Sequence, residues 1–369
     1  MANKKTSIGG QALMEGIMMR GPEVTAMAVR RADGQIVMEE FPTNTGEVPK
    51  ICKLPLIRGV YGMVTSMTVG YKCMMRSADL YADDLIAEEE AKEAAKASAK
   101  AEESAAEAVP AAEIEASAET VATPEATVDA NPAIPEAEKA EATQPKAKKE
   151  AKKEDESVLG TAAMIITVVL SVALMLGLFF WLPTFLYDLT VAKLTTDLAP
   201  FLARFIRSFT EAMVRVLLLV GYMLVISQMK EIKRTFMFHG AEHKTIFCYE
   251  QGLPLTVENI RPMRRFHPRC GTSFLILMVL VGILLGLLIP FTGWLRVVCK
   301  IALIPFTVGI GYELIKLAGR HDNLFTRLIS APGVWLQHIT TKEPDDAMIE
   351  CAIAAMERVI PEDKEKDNW

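Results

Sequence analysis

Residues 157–187 read SVLGTAAMIITVVLSVALMLGLFFWLPTFLY, and none of them is charged. About 20 consecutive apolar residues suffice for a helix to cross the hydrocarbon of a bilayer. The stretch therefore predicts a transmembrane helix and sets the class of the whole chain. A second candidate, AMVRVLLLVGYMLVISQM at 212–229, is broken only by Arg215, a side chain long enough to snorkel. A third uncharged run covers Cys270 to Leu295, and a fourth, weaker one, Val297 to Ala318, contains Lys300, Glu313 and Lys316. The expected fold is a mainly α-helical integral membrane protein with about four transmembrane helices. An even number of spans puts both ends on one side.

The composition looks contradictory until it is divided. The 369 residues are 51% hydrophobic and 23% charged, with a net charge of −6 and a mean hydropathy of +0.22. Such values coexist only where apolar and charged residues are segregated along the chain. Residues 83–157 hold 23 Ala, 21 Asp plus Glu and 9 Lys plus Arg, with no aromatic residue, Gly or His. Such a stretch buries no core and reads as a long disordered linker, with nascent helix near 87–103. Pro110, Pro124, Pro132, Pro135 and Pro145 disfavour the alternative, a solvated helical hairpin. The linker carries −12 and the remaining chain +6. The acidic average argues against nucleic acid as a partner, whereas the basic remainder leaves anionic lipids and peptides open. Six Cys without a C-x-x-C pair suit a reducing compartment rather than a disulfide scaffold.

Orientation follows from Lys and Arg in the short loops. Residues 230–269 carry Lys230, Lys233, Arg234, Lys244, Arg261, Arg264, Arg265 and Arg269, against Lys193, Arg204 and Arg207 in 183–210. The first of these segments is expected in the cytoplasm, and both termini with it. No apolar run follows MANKKTSIGG, so the first span is expected to act as an internal insertion signal.

The chain divides into an N-terminal piece (1–50), an apolar segment (51–82), the linker (83–157), spans one and two (158–229), a loop (230–271), spans three and four (272–318) and a C-terminal tail (319–369). Alternation around Asp33-Gly34 predicts a β-hairpin over 23–41. Residues 54–82 are apolar but include Arg58, Lys72 and Arg76, which favours an interfacial or protein-packed helix over a fifth span. In the tail, Pro344 followed by Asp345 and Asp346 marks a helix start. Its apolar face would be Ile349, Ile353, Met356 and Ile360.

The chemistry concentrates in the 230–271 loop. Three of the five His, at 239, 243 and 267, fall there. In His239-Gly240-Ala241-Glu242-His243 a helix would set both imidazoles on one face, with Glu242 beside them. This is the H-x-x-E-H order, in which two His hold a metal and the Glu acts as general base. His267 and Cys270 offer N and S ligands three residues apart, and Cys270 precedes a helix N-terminus that favours thiolate. Zinc is the preferred divalent transition metal for such donors. Glu313 is a further candidate ligand, or else the partner of Lys316 or Lys300. Glu15, within a Gly-rich lead-in to the hairpin, is a possible additional carboxylate. Arg264, Arg265 and Arg269 would attract an anionic substrate.

The segments GGQALMEGIMMRGP (9–22), LPLIRGVYG (54–62), HGAEHKTIFCYE (239–250), RFHPRCGTSF (265–274) and EPDDAMIECAIAAM (343–356) together resemble the bacterial YqhQ-like family of uncharacterised membrane proteins. That family carries the description "predicted metal-dependent enzyme". The resemblance implies a multi-pass protein of the bacterial cell membrane with a metal site, and supplies neither substrate nor reaction. Two readings stay open: a metal-dependent hydrolase at the cytoplasmic face with Glu242 as general base, and a scaffold or partner-binding protein with a structural metal. A transporter, using Arg215, Lys300 and Glu313 as a polar path, is a third. Counting ligands separates the first two, because three plus an open position suits catalysis and four closes the site. Oligomeric state and substrate have no signal in the sequence.

Overall fold

The computed structural model describes residues 5–43, 48–107, 166–320, 323–363 and 366–367. The linker expected over 83–157 lies outside the described residues from 108 onward; up to Glu107 its Glu/Ala/Lys part is helical. The chain forms two compact units, one of Met1–Glu88 with Leu174–Trp369 and one of Glu89–Ala173. The second contributes, among the described residues, the end of one helix and the start of another.

The first unit contains a four-stranded antiparallel sheet, β1 (Gly9–Leu13), β2 (Gly16–Arg20), β3 (Val24–Arg30) and β4 (Ile36–Pro42), in sequential order. The expected hairpin is β3–β4, with Arg30 opposite Ile36 and Gly34 at φ 86° in its turn. A second hairpin precedes it. Period-two alternation explains why the sheet buries both faces. Ile17, Met19, Ala26 and Ala28 point into one apolar cluster, while Met18, Met27 and Val29 point into another.

Helix α1 (Ile57–Glu107) covers the second face with Cys73 and Leu80. One side of the segment packs on the sheet, while Tyr61, Val64, Met67, Tyr71 and Met75 are exposed. The other face meets α4 (Lys230–Glu250) and α9 (Asp346–Val359). The side chain of Asp345 caps α9 by accepting from the Met348 amide at 2.8 Å, and Ile349, Ala352, Met356 and Val359 are buried. Ile353 and Ile360 pack only partly.

Most of the remaining helices are apolar. α2 (Ile166–Thr190) and α3 (Pro200–Ile226) are each long and apolar enough to cross a membrane. α6 (Gly293–Ala302) and α7 (Ile304–Arg320) meet at a bend of 49° and together make a third candidate. Between α3 and α6 in sequence, α5 (Gly271–Gly286) has 16 residues, about 24 Å at the usual rise. α8 (Leu324–Thr340) falls in the region expected as a tail. It packs closely on α5, where a Cβ on Gly333 would fall 2.3 Å from the Ser273 Cα.

α2 carries a π-helical turn over Gly177–Trp181 just before Pro183. Proline has no N–H and crowds the carbonyl four residues back. That carbonyl, on Phe179, accepts from Arg215 Nε at 2.8 Å instead.

Candidate metal centre

The segment 230–250 is helical rather than a loop, because α4 restarts at Lys230 after a turn that ends α3. Residues 239, 242 and 243 therefore share one face, and that face looks across at β1 and at the N-terminus of α5. Close approach needs glycine on both sides of the helix. A Cβ on Gly10 would lie 2.9 Å from the Glu242 carboxyl carbon, and one on Gly240 would lie 2.0 Å from the Lys342 carbonyl oxygen.

His239, His243 and Cys270 each offer a ligand atom, and the three atoms lie within 4.8 Å of one another. The imidazoles are oriented from behind. His239 Nδ1 donates to the Thr340 carbonyl at 2.8 Å, and His243 Nδ1 donates to the Arg265 carbonyl at 2.5 Å. Such backbone bonds leave Nε2 as the ring atom of each that could hold a metal. His239 Nε2 lies 3.2 Å from Cys270 Sγ, and His243 Nε2 is buried without a hydrogen-bond partner among the described residues. Glu242 Oε2 is likewise buried and unpartnered. Unsatisfied polar atoms are expensive in a protein interior, and these two belong to residues that line one cavity with Cys270.

The charges agree with this. Burial disfavours the Cys270 thiolate, but the imidazoles of His239 and His243 outweigh it and hold the thiol well below its ordinary value. Burial likewise opposes charge on His239, yet the adjacent Cys270 thiolate pushes it up to about 9. Burial pushes the Glu242 carboxyl up. His239 and Cys270 thus each favour the charged form of the other.

The three donors border a cavity of about 340 Å³ that Gly9, Gly10, Glu242, His267, Arg269 and Thr272 also line. His267 stands beside the cluster, its ring 5.6 Å from that of His243. It is bracketed by Gln337, whose side chain accepts from the His267 amide and donates to its carbonyl, both at 2.7 Å. Its Nε2 faces Glu250 at 3.9 Å. Glu250 also pairs with Arg269 and accepts from the Thr6 amide at 2.9 Å. Neither Gln337 nor Glu250 carried a signal in the sequence.

Other expected site residues lie elsewhere. Glu313 pairs with Arg58 of α1, and Lys300 with Glu211. Glu15 sits in the β1–β2 turn at φ 49° and makes two 2.5 Å bonds to Arg234. Of the three arginines, Arg269 alone lines the cavity. Arg265 reaches Glu343 at 3.3 Å and Arg264 is exposed. His338 is exposed and stacks on Phe266.

Residues 54–362 match a family described as "Protein of unknown function (DUF1385)". The chain is also 30% identical over 355 residues to the "Uncharacterized protein YqhQ" of Bacillus subtilis (strain 168), covering 95% of this chain and 92% of that one. The chain belongs to this YqhQ-like family. The match takes in every residue of the His–Cys cluster and leaves out β1, whose Gly10 packs on Glu242. No solved structure matches the chain.

Proposed function

We propose that this member of the YqhQ-like family is a multi-pass protein of the bacterial cell membrane carrying a zinc-dependent, hydrolase-type site at its cytoplasmic face. The apolar helices α2, α3 and α6–α7 support the membrane reading, with α5 as a shorter fourth segment. The Lys and Arg excess over 230–269 supports a cytoplasmic location for that segment, and for both termini with it.

The observation that carries the site reading is the convergence of three donors on one cavity with a carboxylate whose Oε2 has no partner among the described residues. His239, His243 and Cys270 make a His₂Cys set that would hold a zinc ion with three protein donors, the number that suits a catalytic site. Zinc held there would supply Lewis acidity to a water and to a carbonyl or phosphoryl oxygen of the substrate. Glu242 is positioned to take a proton from that water, its Oε2 having no competing partner among the described residues. Gly271 and Thr272 turn the positive end of α5 towards the cavity, where negative charge on a substrate is steadied. Arg269, already tied to Glu250 and the Thr6 carbonyl, orders the rim rather than offering a free cation. The substrate class is an anionic lipid or peptide presented at the membrane surface.

The test is Glu242→Gln in the full-length protein. Metal and fold retained with cellular function lost supports the enzyme. Metal, fold and function all retained replaces it with a structural metal clamp.

A further inference from the structure

Away from the metal centre, the apolar helices enclose charges. Glu211 of α3 is 1% exposed and Arg296 of α6 is fully buried. Arg296 Nε donates to Glu211 at 3.0 Å, Arg207 Nε donates at 3.3 Å, and Lys300 pairs with the same carboxylate. Arg207 also meets Asp188 at 2.7 Å. Arg215 adds a fourth cation. The buried carboxylate of Glu211 thus meets three cations with Arg215 as a fourth, Asp188 being more exposed, and excess charge in an apolar interior is costly unless an anion joins it.

Arg215 and Lys300 both line an apolar cavity of about 430 Å³, together with Phe179, Leu219, Met278 and Leu285. Arg215 Nε is spent on the Phe179 carbonyl, while its Nη2 is buried without a partner among the described residues. Apart from these two cations, Thr307 is the polar side chain on the lining. A carboxylate has two oxygens for two cationic donors. The further charged oxygens of a phosphate would face apolar walls unpaired.

We propose that this cavity binds a long-chain carboxylate, with its head between Arg215 and Lys300 and its chain along the Phe179, Leu219 and Met278 surface. The site rests on the helices lying in a bilayer and is independent of the metal reading. Its test is equilibrium binding of radiolabelled palmitate to the full-length protein in phosphatidylcholine nanodiscs. Saturable binding is expected, weakened about tenfold or more by Arg215→Gln, since a charge-assisted bond is lost. Gly282→Leu should weaken it similarly, because Gly282 lines the cavity with open space before it. Hexadecanol, which keeps the chain without the charge, should not compete, and hexadecyl phosphate should compete less well than palmitate. Equal competition by hexadecanol, stronger binding of the phosphate, or wild-type binding by both variants would overturn the proposal. Should Arg215→Gln fail to fold, Gly282→Leu alone decides.

Discussion

The carboxylate of Glu242 is packed against the bare backbone of Gly10, whose missing Cβ would stand 2.9 Å from the carboxyl carbon and 2.8 Å from the Met18 carbonyl oxygen. A strand from the N-terminus thereby fixes the position of a helix residue 232 places away. Gly10→Ala should push Glu242 aside and strain β1 against β2 together. We expect cellular function to fall while the metal stays bound, as the atoms nearest a Cβ at residue 10 belong to Met18 and Glu242 rather than to His239, His243 or Cys270. Complementation alongside metal analysis checks this, and loss of the metal in Gly10→Ala would contradict it.

Thiol chemistry separates the cysteines. Cys270 is held well below the ordinary thiol value by its imidazole neighbours against the cost of burial, whereas burial pushes Cys351 up to about 12. Metal-stripped protein should be alkylated by iodoacetamide at Cys270 near pH 7 and left intact at Cys351, because the thiolate is the nucleophile. Zinc should protect Cys270. Peptide mapping by mass spectrometry reads both outcomes, and labelling of Cys351 ahead of Cys270 would refute the electrostatic picture.

Glu250 makes stability depend on pH. Burial alone would raise its carboxyl, but His267 and Arg269 outweigh that and hold it below the ordinary value. A depressed carboxylate adds stability above its unfolded pKa of about 4.3, and that stability is lost as pH falls through the folded value. Glu250→Gln should therefore be less stable than wild type at pH 6, with the gap closing below about pH 4. Thermal melts across that range test it; a gap that widens in acid would show the sign to be wrong.

The buried charges of α3 and α6 predict a larger effect. Glu211→Gln strands Arg296 and Lys300 in an apolar interior, and breaking a buried pair from one side costs about 3–5 kcal/mol. Thermal unfolding in detergent should shift strongly downward. An unchanged transition would mean that water reaches these groups.

Legibility in the sequence followed how local each signal was. Asp33-Gly34 marked the β3–β4 turn, and the spacing of 239, 242 and 243 put them on one helix face wherever that helix began. The β1–β2 hairpin was hidden because its turn uses Met14-Glu15, with Glu15 at positive φ and no Asn-Gly or Asp-Gly signal. α8 was hidden because Pro332 interrupts it and its apolar run is short. The partners of Glu313 and Lys300 could not be read at all. Nearby lysines were the natural candidates for the first, yet Arg58, 255 residues away, holds it, and only the packing of α1 on α7 brings the two together. Gln337 escaped for the same reason: its value lies in bracketing the His267 backbone, which no spacing rule encodes.

The central claim is that His239, His243 and Cys270 hold a metal ion beside an open position. Elemental analysis of protein purified without chelator, compared with His243→Ala, tests it most directly. The account predicts about one equivalent of zinc per chain in the wild type and little in the variant. Wild type and variant equally empty of transition metal would contradict it.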